Sequence, residues 1–306
     1  MNTQDFGMKR HNNMKVSGFT FIRNALIYDY PIVEAIHSIL PLCDEVIVAV
    51  GNSDDNTLAL IQSIDPTKIK IIETTWDDSL REGGRVLAVE TDKAFEAISL
   101  DSDWAIYIQG DEVIHEKYHD NIRQAMIKCL TDLSIDGLLF RYQHFYGSYD
   151  YVGSSPSWYR NEIRIIRTNK NIFSYRDAQG FRKTPNDKLN VAAIDAEVFH
   201  YGWVKDPRAM QRKQETFNKL WHDDEWVDRN IVKSDEFKYE EHISELKKFQ
   251  GTHPLVMQER ISQKNWKFDF DISRNKTSLK DHFKIFLYTY LNFDVSYKNY
   301  RLKKRI

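Results

Sequence analysis

The chain has 306 residues, of which 42% are hydrophobic and 29% charged, and its formal net charge is -2. This composition suits a globular protein with a sizeable core, and the charge offers no basic field for nucleic acid. Two cysteines, Cys43 and Cys129, are too few for a disulfide framework and form no CxxC pair, which points to a reducing compartment.

The first fifteen residues carry no apolar run of signal-peptide type and read as a flexible leader. VSGFTFI (16–22) is a short run of strand formers. YPIVEAIHSILPL (30–42) sets Ile32, Ile36, Ile39 and Leu40 on one helical face, and EVIVAVG (45–51) is a β-branched run closed by glycine. A helix over 56–64, a strand over 68–74, a helix over 83–98 behind a glycine pair, a strand over 104–109 and a helix over 117–130 continue the alternation. Four β-α units of this kind predict a mainly parallel sheet with helices on both faces. After Gly137 the strands at 137–147 and 162–167 follow with no long helix between them, so the sheet becomes mixed. From Asp206 the chain is charged and reads as a mostly helical extension. The organisation expected is a leader (1–15), an α/β domain (16–205) and that extension (206–306).

Ligands in open α/β sheets bind beyond the carboxyl ends of the strands. YIQGDEV (107–113) delivers Asp111 and Glu112 just past such an end, where carboxylates suit Mg²⁺ or Mn²⁺. An ordinary solvated turn is the alternative. The run DWAIYIQGDEV resembles the Asp-X-Asp strand of family 2 glycosyltransferases. Gln109 stands in the slot of the first aspartate, Asp111 in that of the second, and Glu112 in that of the following acid. The resemblance extends over residues 16–207 and implies the GT-A fold. In FTFIRNA (19–25), Arg23 and Asn24 match the polar exit of the family's first strand. AVGNSDDNT (49–57) resembles its second-strand motif, which implies donor contact from Asn52, Ser53, Asp54 and Asp55; Val50 replaces the aspartate that usually meets the base. A Ser/Asp helix cap reads the same segment without a nucleotide.

SWYRNEIRIIRTNKNIFSYRDAQGF (157–181) is similar to the acceptor region of bacterial lipopolysaccharide-core transferases of that family. The likeness implies an aromatic acceptor loop with Trp158 and Tyr159, and a general base at Asp177 or, failing that, Glu162. EVFHYGWVKDP (197–207) brings His200, which the resemblance implies as a third metal ligand and which otherwise reads as a core histidine bonded to a carbonyl, Trp203 as a sugar-stacking or anchoring ring, and Lys205 as a diphosphate or solvated cation. The implied activity is a metal-dependent, inverting transfer from a nucleotide-sugar donor to a glycan or lipid-linked acceptor. A degenerate saccharide-binding domain and a nucleotidyltransferase are the alternatives.

No run approaches the roughly 18 consecutive apolar residues of a membrane span, so a cytoplasmic protein is expected. The tail 281–306 sets Phe283, Phe286, Leu287, Tyr290 and Leu291 at helical spacing among six Lys/Arg and two Asp. Such a segment either docks on the body or meets anionic lipid at the inner membrane.

Overall fold

A computed structural model describes residues 14–80, 82–168, 171–231, 233–243, 245–275, 283–284, 290 and 297–306. Most of the leader expected over 1–15 therefore lies outside the described residues. The alternating half opens with β1 (Val16–Ile22), α1 (Ile32–Ile39), β2 (Glu45–Gly51), α2 (Thr57–Gln62) and β3 (Ile69–Thr74). It closes with α3 (Arg85–Glu96) and β4 (Trp104–Tyr107). The order β3-β2-β1-β4 is parallel throughout.

Two hydrophobic layers flank this sheet, as side-chain alternation demands. Val46, Val48 and Val50 of β2 face a cluster holding Ile32, Ala35, Ile36 and Ile39 of α1. Ile47 and Ala49 face the opposite cluster, where Val86, Ala94 and Phe95 of α3 pack. The chain continues as β5 (Glu112–Ile114), α4 (His119–Cys129), β6 (Gly137–Tyr146), β7 (Ser148–Gly153) and β8 (Asn161–Arg167). Next come β9 (Ile172–Tyr175), β10 (Gly180–Lys183) and the 17-residue β11 (Asp187–Trp203). β8 pairs antiparallel with β4 and β6, which turns the sheet mixed, while β11 runs parallel to β6. The architecture is mixed α/β. Cys43 and Cys129 are buried free thiols.

The last third departs from a mostly helical extension. α5 (Pro207–Phe217), α6 (Asp224–Asn230) and α7 (Gln258–Ser262) alternate with β12 (Leu246–Lys248), and β13 (Tyr300–Arg305) adds a parallel strand to β11. The end of the tail is thus a strand instead of a helix. Its Leu302 and Lys304 meet Val191 and Ala192, where the exposed edge of β11 offered unpaired backbone groups. Of the tail's apolar stripe, Phe283 and Tyr290 are exposed, and Phe286, Leu287 and Leu291 lie outside the described residues. Among the described residues no helix is long and apolar enough to cross a membrane.

Candidate active site

β1 and β4 lie side by side at the point where the strand order reverses. The crevice beyond their carboxyl ends is where such sheets bind ligands. A cleft of about 560 Å³ opens there. Arg23 and Asn24 enter it from the exit of β1, Gln109 and Asp111 from the exit of β4, and Asp177 from the β9–β10 turn. His200 and Trp203 reach it from the end of β11, with Lys213 and Phe217 of α5 opposite.

Asp111 Oδ1 and His200 Nε2 stand 3.8 Å apart. Gly202 makes this approach possible: a Cβ there would lie 2.7 Å from Asp111 Oδ2 and 2.8 Å from His200 Nε2. Lys213 Nζ donates to Asp111 Oδ2 at 3.3 Å and to the Gly202 carbonyl at 3.0 Å. Burial pushes the Asp111 carboxyl up, but Lys213, His200 and Lys205 outweigh it and hold it at about 2. Burial also keeps the His200 imidazole below its ordinary value, against the pull of Asp111. An ionised carboxylate and a neutral imidazole beside a space that only glycine leaves open fit Mn²⁺, and less closely Mg²⁺. Among the described residues no three His, Cys, Asp or Glu side chains gather as a metal cluster.

Glu112, expected as a further ligand, faces away from the cleft. Asp111 ends the turn and Glu112 begins β5, where it is fully buried against Arg164. Arg164 Nε and Nη2 each donate to one of its oxygens at 2.8 Å, and the Tyr142 hydroxyl donates at 2.8 Å. Freeing Glu112 for a cation breaks a buried bidentate pair, which costs about 3–5 kcal/mol. Its role is to hold Arg164. Lys205, expected as a diphosphate or solvated cation, does not line the cleft. Its buried ammonium donates to the Asp29 carbonyl at 2.7 Å and lies 4.4 Å from the Tyr30 ring centroid. Burial and then Lys213 push its pKa down to about 7. The lysine that reaches Asp111 in the cleft is Lys213 instead. Its signal in the sequence was a lysine on the apolar face of α5, three and four residues from Met210, Ala209 and Phe217.

Of the four residues expected on the donor loop, Asp54 lines the cleft and the others brace it. Asn24, at φ 56°, accepts from the Asp54 amide at 2.7 Å, and its own amide donates to Ser53 Oγ at 3.0 Å. Asp55 accepts from the backbone of Leu26, Ile27 and Thr57, which ties the β1 exit to the start of α2. Asn52 accepts from the Trp76 amide, and its carbonyl accepts from Arg23 Nε at 2.9 Å. Arg23 also bonds Asp78 at 2.8 Å.

Gln109 does something an aspartate cannot. Its amide donates to the Ala178 carbonyl at 3.1 Å and so links the exit of β4 to the turn bearing Asp177. That turn holds two non-glycine residues at positive φ, Arg176 (57°) and Ala178 (63°), each a strained conformation that clusters at functional sites. Gly84, at φ 69°, lets the start of α3 close on it, since a Cβ there would come 2.8 Å from Asp177 Cβ and from Trp221. Asp177 accepts from Gln179 at 3.2 Å, and burial raises its carboxyl above the ordinary value.

Glu162 does not line the cleft. Its Oε2 is buried with no hydrogen-bond partner among the described residues, and burial pushes its carboxyl up to about 8. A folded-state value above the ordinary 4.5 means that the native state holds a proton the unfolded chain has lost. Stability is therefore drawn down as pH rises from 4.5 towards 8, by at most about 1.4 kcal/mol per pH unit. Glu162→Gln removes this dependence. Its melting temperature is expected to exceed that of the unmodified chain by a margin that widens between about pH 5 and about pH 9. An equal margin at both ends would show that Glu162 is ionised in the fold.

Of the aromatic residues expected on the acceptor side, Tyr159 and Trp203 line the cleft, and Trp158 stacks on His144 at 4.9 Å. His144, absent from the sequence reading, meets His200 with Nδ1 atoms 3.1 Å apart.

No protein-family model and no curated protein matches the sequence. Solved structures do. Residues 1–349 of TarS from S. aureus are 13% identical, with 72% of this chain and 67% of that one covered and a TM-score of 0.39. Glucosyl-3-phosphoglycerate synthase from Mycobacterium tuberculosis, in complex with Mn²⁺, uridine diphosphate and glucosyl-3-phosphoglycerate, is 18% identical. There 48% of this chain and 50% of that one are covered, at a TM-score of 0.30. The 4-diphosphocytidyl-2C-methyl-D-erythritol synthase of Anaerococcus prevotii is 11% identical, covers 52% of this chain and 73% of its own, and scores 0.31. The chain spans half the length of the second of these and 38% of a longer TarS structure. Likenesses of this size assign no substrate and no reaction to the chain.

Proposed function

We propose that the chain is a metal-dependent, inverting glycosyltransferase of GT-A type, moving a sugar from a nucleotide-sugar donor to a hydroxyl of a glycan or lipid-linked acceptor. The observation that carries this reading is the pairing of Asp111 and His200 around the gap at Gly202, in one cleft with Asp177. Arg23, Asn24 and Asp54 line its donor side; Tyr159 and Trp203 offer faces for sugar rings. Asp111 and His200 would hold Mn²⁺ or Mg²⁺, which when bound supplies positive charge for the departing diphosphate. Lys213, fixed at the same carboxylate, adds a cation where that charge develops.

Asp177 takes the proton of the acceptor hydroxyl. The acceptor oxygen forms the new bond to the anomeric carbon, and the bond to the diphosphate oxygen breaks with its electron pair leaving on the nucleoside diphosphate. Work on envelope glycans in the cytoplasm or at the inner membrane fits such an acceptor.

One observation favours a binding protein without turnover: Lys213 already neutralises Asp111. Incubation with a panel of nucleotide sugars separates the readings. Release of nucleoside diphosphate that depends on Mn²⁺ is expected. Release of pyrophosphate from a nucleoside triphosphate would make the chain a nucleotidyltransferase, and binding with no release would make it a saccharide-binding module.

A further inference from the structure

The hydrogen bonds behind His200 specify which of its nitrogens carries the proton. Nε2 of His144 lies 2.7 Å from the carbonyl oxygen of Tyr159. A carbonyl only accepts, so that nitrogen bears the proton of His144. A neutral imidazole has one N–H, which leaves Nδ1 of His144 as an acceptor. The 3.1 Å contact between the two Nδ1 atoms is then made by an N–H on His200. His200 therefore keeps its free lone pair on Nε2, the nitrogen 3.8 Å from Asp111 Oδ1 and beside the gap at Gly202. The His144 ring is clamped in this orientation. Trp158 stacks on it at 4.9 Å, Tyr142 at 5.5 Å, and the Tyr159 ring meets it edge-on at 4.3 Å.

We infer that His144 is a positioning residue, which relays its bond to the Tyr159 carbonyl into the one tautomer of His200 that offers Nε2 to a divalent cation. The inference rests on the metal-dependent reading of the cleft. An outer partner of this kind orients a ligating imidazole and typically changes metal affinity by about 10–100-fold. It also joins the two halves of the cleft. Tyr159 bounds the acceptor side with its ring, while its carbonyl fixes a ligand on the donor side.

The full chain, labelled with ¹⁵N-histidine, tests this without turnover. Nitrogen shifts in metal-free protein are expected to show His200 protonated on Nδ1 and bare on Nε2, with the signal assigned by its loss in His200→Asn. His144→Phe keeps a ring but no acceptor. It is expected to lose that tautomer and to bind Mn²⁺ about tenfold or more weakly, measured by calorimetry with Mn²⁺ alone and with inorganic pyrophosphate. His144→Gln, whose amide can accept from His200 and donate to Tyr159, is expected to restore both. A proton on Nε2 of His200 in the unmodified chain would overturn the inference, as would His144→Phe with unchanged tautomer and Mn²⁺ affinity. Asp111→Ala binding Mn²⁺ as the unmodified chain does would instead overturn the metal reading, with the tautomer still decided by the nitrogen shifts.

Discussion

Asp111→Ala is expected to abolish sugar transfer and donor hydrolysis together, and to remove the dependence of donor binding on Mn²⁺. Two effects are tangled in that substitution, because Asp111 is also the counter-ion of Lys213. Without it the Lys213 ammonium, in a side chain only 9% exposed, keeps the Gly202 carbonyl but has lost its anion. Some loss of melting temperature follows from an uncompensated buried cation. Lys213→Met separates the two. If the carboxylate is a cation site, removing the lysine that competes for it should tighten Mn²⁺ while slowing departure of the diphosphate. The two substitutions thus move metal affinity in opposite directions. A purely structural ion pair would give destabilisation in both and no change in Mn²⁺ affinity in either. Calorimetry with Mn²⁺ and a nucleoside diphosphate reads the sign directly.

The parallel half of the sheet was legible because each element repeats one simple period. Val46, Val48 and Val50 alternate with Ile47 and Ala49, and Ile32, Ile36 and Ile39 return at helical spacing. β11 was not legible as one strand. Its pairing register with β6 shifts between Ala193 and Glu197, and the adjacent buried residues Val191–Ala192 and Val198–Phe199 break the alternation inside a single 17-residue element. β13 was hidden for another reason. YRLKKR is a polar edge segment whose partner lies more than a hundred residues away, and nothing local marks it.

The site was legible at the level of segments more than of side chains. The runs at 107–113, 175–180 and 197–203 do meet around one cleft. Within each run, direction decides the role, and a one-residue step reverses it. Asp111 faces the cleft and Glu112 faces Arg164. In the same way Tyr159 lines the cleft while Trp158 braces His144. Lys205 and Lys213 are eight residues apart and alike in charge. Only the packing of the structure shows that the second reaches Asp111 and the first the Asp29 backbone carbonyl beside Tyr30.

Asp177→Asn is expected to leave donor and Mn²⁺ affinity unchanged and to lower the transfer rate by on the order of 10²-fold or more. The geometry favours this residue over Glu162 as the base. Asp177 borders the cleft, whereas Glu162 is sealed behind it with its carboxyl pushed up to about 8. A group that stays protonated near neutrality and cannot reach the acceptor takes no proton from it. Burial raises Asp177 as well, which strengthens it as a base, and the strained turn between Arg176 and Ala178 keeps it in place. Gln109 bonds the Ala178 carbonyl and so ties the exit of β4 to the turn that bears Asp177. Asparagine keeps the size of the side chain and its bond with Gln179, which makes an effect on folding small. Loss of rate with ground-state binding intact marks an interaction made in the transition state. Single-turnover transfer, alongside calorimetric titration of donor and Mn²⁺, measures the two separately. Full transfer by Asp177→Asn would remove the base from this turn and leave the acceptor hydroxyl to be deprotonated elsewhere in the cleft. A matching fall in donor affinity would place Asp177 on the donor instead.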